Sequence, residues 1–223
     1  EQAAEKIGAD PLLTRVGALF HDIGKALNPN FFIENQVQGN LNAHNNANPE
    51  EVSATIIRHV TDGIQLAKKH NLPRRLHDFI LEHHGTLITN YQYNQAMEAA
   101  QGDITKVDIE KFRYPGPRPA SRETALLMLA DATEARARAE RPTNDEEIRA
   151  LVTNVIQTVQ KYNQLDDTLL TLRDLRLITD SFVTTLRGIH VHTGTVAADA
   201  ANTLGAIAGV LLAVHEIGRA SCR

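Results

Sequence analysis

The chain is punctuated by helix-starting signals, and this feature leaves little room for any class but all-α. Asp10-Pro11 supplies an N-cap followed by proline in the first turn, and Asn48-Pro49 repeats the device with Glu50 and Glu51 at the positive end of the coming helix. Pro73, Ser121, Thr143-Asn144-Asp145-Glu146 and Thr171 open further segments, the third of these patterns reading as a capping box. Behind each opening the apolar residues recur at helical spacing. Val52, Ile56, His59, Gly63 and Ala67 share one stripe; so do Leu76, Phe79, Ile80, His83 and His84, then Ile148, Leu151, Val152, Val155 and Val159. On the last helix the stripe is Leu175, Ile178, Phe182 and Leu186, with Gly188 expected as its stop. No strand run competes, and there are no internal repeats.

Two stretches interrupt this pattern. Residues 28–48 form a polar connection rich in asparagine, long enough to be either disordered or functional. Residues 91–120, with Tyr91, Tyr93, Tyr114 and the rigid run Pro115-Gly116-Pro117-Arg118-Pro119, read as an insertion serving as a lid or a substrate wall. At the front, residues 1–7 read as the last turns of a helix whose start lies outside the sequence, with Gly8 as its cap. At the back, residues 191–223 turn to small residues. They close on Glu216-Ile217-Gly218-Arg219-Ala220-Ser221-Cys222-Arg223, which matches a translated sequencing adapter, so a domain of residues 1–190 is expected, followed by a tail that is partly artefact.

Composition narrows the function. The 223 residues suffice for one domain with a sizeable core, and the formal charge of −4 provides no basic footprint for duplex nucleic acid. Cys222 is the one cysteine, which rules out a disulfide framework and a thiolate metal site. The longest apolar run, residues 204–214, is too short to cross a bilayer, so no membrane contact by the segment itself is expected.

The chemistry-bearing residues lie on the helices. His21-Asp22 ends the apolar run Val16-Gly17-Ala18-Leu19-Phe20; imidazole ligates one cation and a carboxylate can bridge two. His59 points where its core neighbours point, and Asp131 sits beside Leu127 and Ala130. His83 and His84 are consecutive, about 100° apart around a helix, so both can ligate one ion only near a helix end or in a distorted turn. Each set alone has a bland reading as a core or helix-terminal residue. Together, burying that much polarity without a metal would be costly, and the N/O donor set suits manganese, iron or zinc. Lys25, next to Gly24, is either a solvated lysine or a partner for a phosphate oxygen. His44, His70, His77, His190, His192 and His215 lack this company and read as loop, surface or helix-end residues.

At this point the residues resemble a known family. His21-Asp22, His59, His83-His84 and Asp131 are similar to the ligand pattern of the HD-domain metal-dependent phosphohydrolases. More narrowly, HDIGK, FFIENQ, HVTDG, EHHGT, YPGPRP and LADATEA resemble the cytoplasmic HD domain of the seven-transmembrane HD (PgpH-type) cyclic di-AMP phosphodiesterases. The resemblance implies an HD-domain helical bundle with a long loop insertion near the metal site and two divalent metals, manganese or iron. Asp22 would bridge them, His21 and Asp131 would serve one, and His59, His83 and His84 the other; a further family histidine would lie before Glu1. It implies hydrolysis of cyclic di-AMP to linear pApA, in a domain facing the cytoplasm of a bacterial inner-membrane protein. In that reading Asp22 and Lys25 are catalytic. Phe31, Phe32, Tyr93 or Tyr114 could stack on adenine, and Arg118 and Arg138 could meet phosphates. The alternatives are an HD phosphohydrolase for another nucleotide such as cyclic di-GMP, or a non-catalytic metal-dependent module that binds the cyclic dinucleotide.

Overall fold

The computed structural model describes residues 1–32 and 47–193. They form eight α-helices: α1 Gln2–Ile7, α2 Pro11–Phe20, α3 Pro49–Lys69, α4 Arg74–Glu82, α5 Asn90–Ala99, α6 Arg122–Glu140, α7 Asp145–Lys161 and α8 Leu172–Thr193. Among these residues there is no strand, only a single antiparallel bridge between Ile88 and Arg113. The expected caps are in place. The Asp10 side chain accepts from the Leu13 amide, that of Asn48 from Glu50, and Ser121 with Thr124 closes a capping box.

α6 is the shared wall of the molecule. Thr124 through Leu129 are buried without a break, the pattern of a helix covered on all sides. One side joins Ile148, Leu151, Val152, Val155, Ile156 and Val159 of α7, Leu175, Ile178 and Val183 of α8, and Ala3, Ala4 and Ile7 of α1 in a continuous apolar core. The other side meets α2 and α4, and α4 in turn meets α3. Close approach on this side depends on missing side chains. A Cβ on Gly17 would lie 2.3 Å from the Phe79 ring, so α2 can rest on α4 only with glycine there.

α2 buries Thr14 and Gly17, leaving Leu12 and Leu19 69% and 53% exposed, because the packing face is the one that admits Phe79. Several expectations change. Gly188 does not stop α8, which continues to Thr193; its backbone is not left-handed, and glycine ends a helix only where the chain takes up that conformation. The α7 cap is Asn144, one residue later than a box begun by Thr143, and Glu147 accepts from the Thr143 amide. Residues 91–120 are largely ordered into helical turns rather than a long loop. α5 and the 3₁₀ turn Ile109–Phe112 pack on α3, with Phe112 wholly buried, a Ser53–Thr89 hydroxyl contact of 2.7 Å and a Lys111–Glu50 ion pair of 2.7 Å. Of the polar connection, residues 28–32 carry the 3₁₀ turn Pro29–Phe31. Residues 33–46, with His44, and residues 194–223 lie outside the described residues.

Candidate metal centre

The His-Asp pair sits where α2 stops. His21 is its C-cap, and Nδ1 donates to the Ala18 carbonyl at 2.8 Å. Asp22 then begins the 3₁₀ turn Ile23–Leu27, which lies flat on α3 because Gly24 has no side chain; a Cβ there would stand 1.9 Å from the His59 carbonyl oxygen. This contact brings Asp22 to His59. α4 ends at Glu82, so His83 is its C-cap and His84 belongs to the following turn, the helix-end placement that lets consecutive histidines face one point.

The imidazoles are oriented from behind. His59 Nδ1 donates to the Ile56 carbonyl at 2.6 Å, and His83 Nδ1 to those of Phe79 and Ile80 at 3.1 and 3.0 Å. In the neutral rings both Nε2 lone pairs are therefore free, and they face each other at 3.1 Å. Asp22 Oδ1 completes the triangle at 3.3 Å from His59 and 3.7 Å from His83, buried and without a hydrogen bond. Three acceptors converge on one point with no donor among them, an arrangement that a cation satisfies. His21 Nε2 is also buried, 3.1 Å from Asp22 Oδ2 and 3.8 Å from Asp131 Oδ1. His84 Nδ1 lies 3.7 Å from Asp131 Oδ2.

All six predicted ligands thus come together. Ligand atoms fall into two overlapping groups, each within 4.8 Å: His59, His83 and His84, and His21, Asp22 and His83. Atoms about 2.1 Å from a common ion are about 3–4 Å apart, so the spacing suits divalent metal. His83 contributes to both groups, and Asp131 stands between His21 and His84.

The electrostatics match. Burial lowers the pKa values of His59, His83 and His84 from the ordinary 6.5, the latter two far down, so these rings are neutral and could serve as ligands. Burial opposes ionisation of Asp22 and Asp131, but His21 beside both, with Lys25 beside Asp22, holds their carboxyls below the usual range. For His21 burial also disfavours the charge, yet Asp22 and Asp131 outweigh it and raise the pKa to about 10.

Around the ligands, Lys25 Nζ lies 2.7 Å from Asp22 Oδ2 and 5.3 Å from the centre of the Phe32 ring. Phe32 is buried and meets His59 edge-on at 6.0 Å, and Tyr114 stacks on His84 at 4.2 Å. The other predicted contacts lie elsewhere. Phe31 packs on Phe32, Tyr93 on Phe112, and Arg118 pairs with Asp166 and Asp167. Arg138 is exposed and pairs with Glu134 one turn away. The sequence gives no sign of two supports of the site: Gly24 as a contact with α3, and Gln164, whose side-chain amide holds Thr86 from 78 residues away.

A helical frame that gathers histidines and aspartates from the ends of α2 and α4 and from α3 and α6 into one cluster that could hold a metal is the frame of an HD domain, and the HD-domain family model matches residues 1–136. The chain belongs to the HD-domain family. It is 37% identical over 194 residues to the cyclic-di-AMP phosphodiesterase PgpH of Listeria monocytogenes and 39% identical over 189 residues to that of Bacillus subtilis. Each match covers 85% of this chain but 26% of the relative, so the chain spans about a quarter of the length of these proteins. The crystal structure of the L. monocytogenes PgpH HD domain in complex with cyclic-di-AMP superposes with a TM-score of 0.79 at 34% identity, covering 84% of this chain and 86% of that one. Among the described residues no helix is long and apolar enough to cross a membrane.

Proposed function

We propose that this domain is a metal-dependent phosphodiesterase that hydrolyses cyclic di-AMP to linear pApA, using two divalent ions, manganese or iron. The observation that carries the reading is the triangle of His59 Nε2, His83 Nε2 and Asp22 Oδ1, three buried acceptors that converge without a donor. Identity to PgpH proteins over 85% of the chain supports the choice of substrate.

Bound at this cluster, divalent ions supply Lewis acidity toward phosphate oxygens and lower the pKa of water enough to give a nucleophile at neutral pH. The protein's own part is orientation and charge. Backbone carbonyls fix the ligand tautomers of His21, His59 and His83, so the rings need not reorient on binding metal. Asp22, within 3.3 Å of both His21 and His59, would help hold the ions together with them. Lys25 adds a positive charge beside it and is suited to neutralise a nonbridging phosphate oxygen as charge develops in the transferring group. Phe32 and Tyr114 give the pocket wall flat apolar surfaces beside His59 and His84. In this reading the parent is a bacterial inner-membrane protein with the domain on its cytoplasmic side.

Chromatography of products tests it. Purified domain supplied with manganese should convert cyclic di-AMP to pApA and leave cyclic di-GMP largely intact. Two bound metals with neither dinucleotide cleaved would replace catalysis with simple binding, and preferential cleavage of cyclic di-GMP would replace the substrate.

A further inference from the structure

The turn that presents His83 and His84 lies beyond the last regular residue of α4, so something other than that helix must fix its direction. The structure assigns this role to Gln164: it is a positioning residue that holds the His83-His84 turn and thereby sets the metal affinity of the site. The inference rests on the metal-centre reading above.

Gln164 follows α7 and is 2% exposed, yet its amide is fully used. Oε1 accepts from the Thr86 backbone N–H at 2.9 Å and lies 3.3 Å from Thr86 Oγ1; Nε2 donates to Thr86 Oγ1 at 2.8 Å and to the Tyr162 carbonyl at 2.7 Å. The turn is pressed onto this amide. Gly85 has φ of +52°, and a Cβ there would stand 2.2 Å from Gln164 Oε1 and 2.7 Å from Met128 Cε. The glycine and threonine after the two histidines are therefore accounted for by one side chain from a distant loop. On the other side the Tyr114 N–H donates to the Leu87 carbonyl at 2.9 Å while its ring stacks on His84. His84 has a stacking partner on one side and a hydrogen-bonded anchor two residues along the chain. Groups that orient metal ligands typically change affinity about 10–100-fold when removed.

The test is a manganese titration of the whole chain, read by bound metal per protein. Gln164→Leu keeps the volume and removes every side-chain hydrogen bond; it should weaken the site about 10–100-fold and lower occupancy at limiting manganese. Gln164→Glu keeps an acceptor for the Thr86 amide and should recover part of the affinity. Ile148→Ala, in the α7 core away from the turn, should lower the melting temperature while binding manganese as wild type does. Wild-type affinity in Gln164→Leu, or equal losses in Gln164→Leu and Ile148→Ala, would overturn the role. So would a wild-type protein that takes up no metal. Wild-type metal uptake without hydrolysis of cyclic di-AMP would instead overturn the proposed reaction and leave Gln164 in place.

Discussion

Lys25 Nζ stands 2.7 Å from Oδ2 of Asp22, the carboxylate whose other oxygen faces His59. The lysine therefore shares an oxygen with the cluster without being able to ligate a cation. Lys25→Met should retain bound metal, because the competing charge beside Asp22 is gone. Turnover of cyclic di-AMP should fall about 100- to 1,000-fold, as for loss of a group that stabilises developing charge. Metal content and initial rates measured on one preparation separate the two effects; loss of metal in the variant would make Lys25 a structural partner of Asp22 and nothing more.

Gly24 makes a second prediction. With the His59 carbonyl oxygen 1.9 Å and the Gly63 nitrogen 2.6 Å from the place a Cβ would occupy, Gly24→Ala must lift the turn carrying Asp22 off α3. Overpacking of this kind costs about 1–3 kcal/mol, and here the obstacle is backbone that cannot rotate away. The urea midpoint should drop and bound metal should fall with it. A variant with wild-type stability would show that the turn has freedom the packing denies.

The cluster also dictates how the metal-free protein responds to pH. His59, His83 and His84 are held neutral, with pKa values below the ordinary 6.5, so the unfolded chain takes up protons that the folded chain refuses. Their contribution to stability is full above pH 6.5 and is lost as pH falls toward their folded values. His21 runs the opposite way. Raised to about 10, it contributes fully below pH 6.5 and loses that contribution as pH rises through 10. Stability of the metal-free protein should peak near pH 6.5 and decline on both sides. A urea midpoint still climbing between pH 7 and 9.5 would contradict the state given to His21. Because His21 carries a proton at pH 7, its coordination to manganese must release it, and the binding heat should vary with the ionisation enthalpy of the buffer.

What could be read from the residues alone divides along the line between local and distant causes. Helix starts at Asp10-Pro11, Asn48-Pro49 and Ser121 are decided by side chains within three residues of the amides they cap, so they are visible in the sequence. His59 could be placed inward because its stripe on α3 includes Val52, Gly63 and Ala67. Gly188 misled because glycine permits a helix to end without requiring it. α5 gave little periodic signal, since its one buried residue is the polar Gln92, and it owes its place to α3 and Phe112. The aromatic wall divided in the same way: Phe32 and Tyr114 stand beside the histidines, whereas Tyr93 packs on Phe112 within the insertion. Gln164 and the fit of Gly24 against α3 depend on residues far along the chain, and no spacing rule reaches them.

The most direct test is to locate the metal. Anomalous diffraction at the manganese edge from metal-loaded crystals should show two peaks, one within coordination distance of His59, His83 and His84 and one beside His21 and Asp131, with Asp22 between them. Both peaks should vanish in Asp22→Ala. Manganese bound outside this cluster, or a cluster with no peak in a protein that cleaves cyclic di-AMP, would contradict the assignment of these six residues as the catalytic centre.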